Sequence, residues 1–136
     1  MPYCYVAVRS QLVGTWYDTA VKPNVFLFLS KVVEVMNSDG DNYSGTITVK
    51  FLHLFPWTFS ASWKRKGNSV ALDALGLEIF NSDYEVLAVG DNFFIDIGHP
   101  ISVLTGIVLI HYRQPCPDQQ TQQEVKNALQ KTLSQV

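Results

Sequence analysis

Apolar and polar residues alternate with a period of two along most of the chain, the pattern of strands half buried in a sheet. The clearest run is Tyr43 to Leu52, where Ile47, Val49 and Phe51 fall on one face and Thr46, Thr48 and Lys50 on the other. After Pro56, Trp57, Phe59, Ala61 and Trp63 share a face against Thr58, Ser60, Ser62 and Lys64. Leu12 to Ala20 reads as a first strand, broken by Pro23-Asn24, and Lys31 to Met36 as a second. Between them, Val25 to Leu29 is an apolar loop or short strand. Asn37 to Asn42 is dense in turn formers and predicts a hairpin loop. Ser69 to Ile79 is apolar with interruptions at Asp73 and Gly76. Tyr84 to Val89, Phe93 to Ile97 and Gly106 to Arg113 complete the set, separated by Gly90-Asp91-Asn92 and Gly98-His99-Pro100. Roughly eight short strands with turn signals at fairly regular spacing predict a sandwich or an up-and-down barrel.

The period changes after Pro115-Cys116-Pro117. Val125, Ala128, Leu129 and Leu133 then fall on one helical face, with Lys126, Gln130 and Lys131 elsewhere. Thr121 and Glu124 have the spacing of a capping box. A helix over about residues 118–134 is predicted, packed on the outside of the sheet. The strand beneath it would be apolar on both faces, and Ile107 to Ile110 is apolar at every position. No repeat, linker or low-complexity segment divides the chain, so one domain over 1–136 is expected, its strands between about 12 and 114.

The length of 136 residues suits one hydrophobic core. Apolar residues make up 47% and charged residues 16%, well away from a disordered composition. The net charge of -2 gives no electrostatic case for nucleic acid or an anionic membrane surface. No apolar run approaches the roughly 20 residues that span a bilayer, so membrane insertion is not expected either. The start of the chain, Met1 to Arg9, does not have a basic end followed by a long apolar stretch. Either the chain is cytosolic, or a leader has been replaced by an initiating Met1.

Catalytic chemistry has little support. His53, His99 and His111 are scattered, without the spacing of a metal site. Ser10 and Ser102 lie in no nucleophile elbow, and no glycine-rich phosphate loop occurs. No enzyme activity, cofactor or metal is expected. The stretch Leu12 to Tyr17 says more. Gly14, two residues before Trp16, lets a large indole turn inward where another backbone crosses closely.

Gly14-Thr15-Trp16-Tyr17 on the first strand, Ser82-Asp83-Tyr84 opening the sixth, Arg113 ending the eighth and a terminal helix follow one another in order. Together they resemble the lipocalin family, with serine where the second motif usually has threonine. The resemblance implies an all-β fold with one C-terminal α-helix, an eight-stranded antiparallel up-and-down β-barrel. It implies that Arg113 packs across Trp16 at the closed end as a cation–π pair. Gly14, Asp83 and Tyr84 are the other structural motif residues it assigns. Ser82 to Val89, Gly98-His99-Pro100 and Leu109 to Gln114 with Cys116-Pro117 further resemble the lipocalin-like milk proteins of a viviparous cockroach. That likeness covers about the last third of the chain. It implies secretion, a Cys4–Cys116 bridge, a sugar on Asn42 of the sequon Asn42-Tyr43-Ser44, and a fatty acid held in the barrel. Intracellular fatty-acid-binding proteins are the nearest rival. They also open on a Gly-x-Trp strand, but they place two helices after it and end in a strand.

Parity from Trp16 and Arg113 gives an expected lining for such a barrel. Val33 and Val35 come from the second strand, and Ile47, Val49, Trp57, Phe59 and Trp63 from the third and fourth. Val86 and Ala88 come from the sixth, and Ile107, Leu109 and His111 from the eighth. Phe26 and Phe28 fall on the first long loop, where lipocalins place an entrance lid. An apolar, aromatic lining fits an aliphatic tail, with the carboxylate of a fatty acid kept near the mouth. The plain alternative is that these side chains fill the barrel solid. The expected function is a secreted carrier of a fatty acid or similar small hydrophobic ligand. Nutrient storage and intracellular fatty-acid binding are the alternatives.

Overall fold

The computed structural model describes residues 12–22, 29–51, 54–101 and 106–133. Eight strands follow in chain order: β1 (Gly14–Lys22), β2 (Leu29–Asp39), β3 (Asn42–Phe51), β4 (Phe55–Lys66), β5 (Ser69–Ala74), β6 (Ser82–Val89), β7 (Phe93–Gly98) and β8 (Ile107–Tyr112). One helix, α1 (Gln119–Leu133), comes last. Each strand pairs antiparallel with the next, and β8 returns to pair with β1, closing a barrel. Closure leaves no sheet edge exposed along the paired segments.

Several boundaries depart from the sequence pattern. The ladder between β2 and β3 continues through Asn37↔Ser44, Ser38↔Tyr43 and Asp39↔Asn42. Most of the expected loop is therefore strand. The turn is only Gly40-Asp41, with Gly40 at φ 62, the left-handed backbone of a two-residue hairpin. The run from Ser69 is also not one strand. β5 stops at Ala74, and a single 3-10 turn forms at Glu78–Phe80. Asn81 Oδ1 accepts the Ala74 N–H at 2.9 Å, and Glu78 Oε2 accepts the Gly76 N–H at 2.7 Å. These side chains satisfy backbone donors that have left the ladder.

The barrel buries two apolar layers. Inside, Trp16, Met36, Tyr43, Trp63, Phe94 and Ile107 belong to one cluster. Outside, Ala88, Phe93, Ile95 and Ile110 lie under Val125 of α1, joined by Ala128 and Leu129. β8 serves both layers, with Ile107 and Leu109 in the inner one and Val108 and Ile110 in the outer one. The helix begins one residue after Asp118, whose Oδ1 accepts the Thr121 N–H at 2.8 Å. Asp118 is therefore the cap, not Thr121, which is buried in the first turn.

Candidate ligand-binding site

One end of the barrel is sealed by Trp16, which is fully buried with Leu12. Its indole Nε1–H donates to the Leu12 carbonyl at 2.8 Å. Arg113 covers the ring from the end of the chain's last strand, its Cζ 3.6 Å from the ring centroid. The same guanidinium donates through Nη1 to the Val13 carbonyl at 2.7 Å. Gly14 sits beneath it at φ 130, and a Cβ there would collide with the guanidinium. What crosses closely at Gly14 is thus a side chain, not the backbone that the sequence suggested.

From this seal a stack of rings leads into the bore. Phe94 meets Trp16 edge-on, with centroids 4.6 Å apart at 89°. Its other side stacks on His111 at 3.9 Å and 6°. His111 Nδ1 donates to Asp18 Oδ1 at 2.6 Å, and Nε2 donates to Asp96 Oδ1 at 2.9 Å. Glu34 Oε2 lies 3.6 Å from Nδ1, too far for a hydrogen bond. Register brings the four together: Asp18 pairs with His111, Asp96 with Leu109 two residues before His111, and Glu34 with Trp16 two residues before Asp18.

Burial of this cluster shapes its ionisation. Desolvation alone would discharge His111, but Asp18, Asp96 and Glu34 outweigh it and hold the imidazole pKa well above its ordinary value. Burial, and then the Asp18 carboxylate, push Glu34 well above the usual carboxyl range. Burial also raises Asp96, against the pull of His111. The Tyr84 phenol is raised by burial and by the carboxylates of Asp96, Glu34 and Asp18. Two buried oxygens, Asp18 Oδ2 and Glu34 Oε2, accept no N–H or hydroxyl from the described residues, and the proton that Glu34 retains is shared with Asp18.

Beyond the cluster the bore is apolar. Its space between atoms amounts to about 640 Å³ with the mouth included. Val32, Met36, Ile47, Val49, Trp63, Val70, Leu72, Leu77, Phe80, Ile107 and Leu109 wall it, with Tyr84 and the four polar residues.

No protein-family model matches the sequence, and no curated protein matches it. Among solved structures, apocrustacyanin A1 from lobster superposes with a TM-score of 0.73 at 15% identity, covering 93% of this chain and 74% of that one. The major allergen Per a 4 from cockroaches superposes with a TM-score of 0.70 at 16% identity, covering 90% and 78%. The fold is lipocalin-like. Its terminal helix also sets it apart from a barrel ending in a strand, the pattern expected of intracellular fatty-acid-binding proteins.

This lipocalin-like barrel distributes the expected lining unevenly. Ile47, Val49, Trp63, Ile107, Leu109 and His111 wall the bore, as does Tyr84, whose hydroxyl donates to the Phe80 carbonyl at 2.5 Å. Val33 and Val35 do not. β2 turns Val32, Glu34 and Met36 inward, because Glu34 pairs with the inward Trp16. A strand read one residue out of phase exchanges its two faces, and the charge on Glu34 argued for the wrong phase. Ala88 is also outside, packed under α1. A bulge between Val86 and Ala88 inverts parity there, so Val86 pairs with Asp96 and Val89 joins the inner cluster. Val86 packs partly buried against that inner cluster without walling the bore.

Trp57 shares the face of Trp63 but is 57% exposed. The pairing of β4 with β5 ends at Ala61↔Ala74, and Trp57 stands beyond it at the rim. Phe59 is partly buried against the inner core, its ring hard against Gly76. Asp83 is exposed and pairs with Lys66 at 3.6 Å. Asn42 ends the β2–β3 hairpin, with its Oδ1 accepting the Arg65 N–H at 3.0 Å. Cys116 is an exposed free thiol, and its expected partner Cys4 lies outside the described residues, as do Phe26 and Phe28. Among the described residues there is no disulfide.

The sequence reading missed Asp18, Glu34 and Asp96. A signal existed for two of them. Asp18 has the parity of Trp16, and Asp96 is the one charge within the run Phe93 to Ile97.

Proposed function

We propose that the protein carries a small, mainly apolar molecule inside the barrel. The observation that carries this reading is the apolar bore above the ring seal, walled by Val32, Met36, Ile47, Val49, Leu72 and Leu109. A ligand there gains about 25 cal/mol for each Å² of apolar surface removed from water, less the cost of immobilising it. A fatty acid fits this bore only with its carboxylate at the mouth. At the inner end it would face Asp18, Glu34 and Asp96, and a buried anion without a partner is costly.

Extracellular carriage belongs to the same proposal. The sequon Asn42-Tyr43-Ser44 follows a hairpin tip where Asp39, Gly40 and Asp41 are exposed, with Asn42 itself half-buried beside it. A nutrient role rests on the resemblance to milk proteins alone.

Native mass spectrometry of protein purified from its source tests the carrier reading, together with uptake of a neutral apolar dye by the recombinant chain. A small-molecule adduct and saturable dye uptake are expected. Leu109→Trp, which fills the bore, is expected to abolish both. No adduct and no uptake would overturn the reading.

A further inference from the structure

We propose that the inner end of the bore is a cation subsite, and that the preferred ligand is an amphiphilic amine. Its protonated nitrogen would sit between Asp18 Oδ2 and Glu34 Oε2, with its apolar body filling the bore above. The proposal rests on the carrier reading and names the ligand class for it.

Glu34 is only 6% exposed, lines the bore, and presents an oxygen that accepts no hydrogen bond. Asp18 Oδ2 is in the same condition on the neighbouring strand. A buried carboxylate oxygen left unpaired is unfavourable, and an N–H donor carrying positive charge is its strongest partner. The local charge points the same way. Three carboxyl groups face one imidazole, and no lysine or arginine is among the residues lining the bore. Without a bound cation, a proton held between Glu34 and Asp18 offsets the excess, and the ammonium would take the place of that proton.

The same geometry disfavours a bare metal ion. Donor atoms of Asp18, Glu34 and His111 do lie within 4.8 Å of one another. Both ring nitrogens of His111, however, already face carboxylate oxygens of Asp18 and Asp96. An imidazole protonated on both sides has no lone pair for a metal. An ammonium needs only acceptors, and the two orphaned oxygens supply them. The apolar wall adjoining them calls for a carbon skeleton on the same molecule.

The test is displacement of a neutral apolar dye at pH 7 by three ligands with the same alkyl chain: decylamine, decanol and decanoic acid, below micelle formation. The amine is expected to displace the dye at a concentration at least about tenfold lower than the alcohol, with the acid weakest. Glu34→Gln and Asp18→Asn are each expected to weaken the amine about tenfold and leave the alcohol nearly unchanged. Equal displacement by all three ligands would overturn the cation subsite and leave the carrier standing. A dye that does not bind, with no ligand taken up, would overturn the carrier itself. Zinc chloride alone is the third arm. Thermal stabilisation by zinc, without preference for the amine, would overturn the proposal in favour of a metal centre. The ligand comparison uses the unaltered chain, so it decides the matter even if a variant fails to fold.

Discussion

The Arg113 guanidinium lies over the Trp16 indole, 3.6 Å from the ring centroid, and hydrogen-bonds the Val13 carbonyl beside it. It ties the end of β8 to the entry of β1, so it spans the seam at which the barrel closes. A cation–π contact is worth about 0.5–2 kcal/mol, and a charged hydrogen bond about 1.5–3 kcal/mol. Because the group is partly exposed, we expect Arg113→Met to lose about 2 kcal/mol. Arg113→Lys should recover little, because an ammonium cannot both cover the ring and reach the carbonyl with the same planar group. Urea unfolding of both variants checks this. A loss below about 0.5 kcal/mol for either would show that the seam closes without the arginine.

Two tryptophans provide a contrast of the same side chain in two settings. Trp16 is fully buried, whereas Trp57 at the rim is 57% exposed. Trp16→Ala should cost about 3–5 kcal/mol, as large aromatic truncations in a core do. Trp57→Ala should stay within about 1 kcal/mol. Comparable denaturation midpoints for the two variants would contradict the burial assigned to Trp16.

The strands and the terminal helix were legible because each carries a period that burial imposes. β8 is the best example: an apolar residue at every position from Ile107 to Ile110 is what a strand needs between a filled interior and a helix. Fine placement was not legible where one residue shifts phase. The bulge at Leu87 and the inward Glu34 each exchange two faces, and a window that treats charge as exposed selects the wrong one. The polar cluster was hidden for a different reason. Asp18 and His111 are 93 residues apart, and only barrel closure makes them neighbours. Parity with Trp16 marks Asp18 as inward, but no local pattern names a partner that lies at the other end of the chain.

The helix should come away before the barrel does. Its hold on the outer layer runs through Val125, 3% exposed against Ala88, Phe93, Ile95 and Ile110, with Ala128 and Leu129 less buried. Val125→Ala removes about two methylene equivalents of burial and should cost about 1–3 kcal/mol. Val125→Asp places a charge in the same contact and should release the helix. Hydrogen exchange read by mass spectrometry would then show residues 119–133 exchanging quickly while β1 to β8 stay protected. Simultaneous loss of protection in strands and helix would show instead that the barrel needs α1 to stand.

Stability should fall as pH rises, which follows from the direction in which the buried cluster is shifted. Glu34, Asp96 and His111 all hold their protons more tightly folded than unfolded. Where the folded chain binds more protons than the unfolded one, raising the pH destabilises it. The carboxyl contributions begin to be lost as pH passes the ordinary values of 3.8 for Asp96 and 4.5 for Glu34. That of His111 begins to be lost above 6.5, and each is gone once pH exceeds the folded pKa. Asp118 is shifted the other way, by its bonds to Thr121, so it weakens the protein only as pH falls through the acid range. It is fully exposed and should change the curve little. The thermal midpoint should therefore be highest on the acid side of neutrality and decline through pH 8. Glu34→Gln should remove the part of the decline that begins above the ordinary glutamate value, while the decline that begins above pH 6.5, due to His111, persists. A midpoint that is level or rising from pH 5 to 8 in the unaltered protein would mean that the interior does not retain these protons.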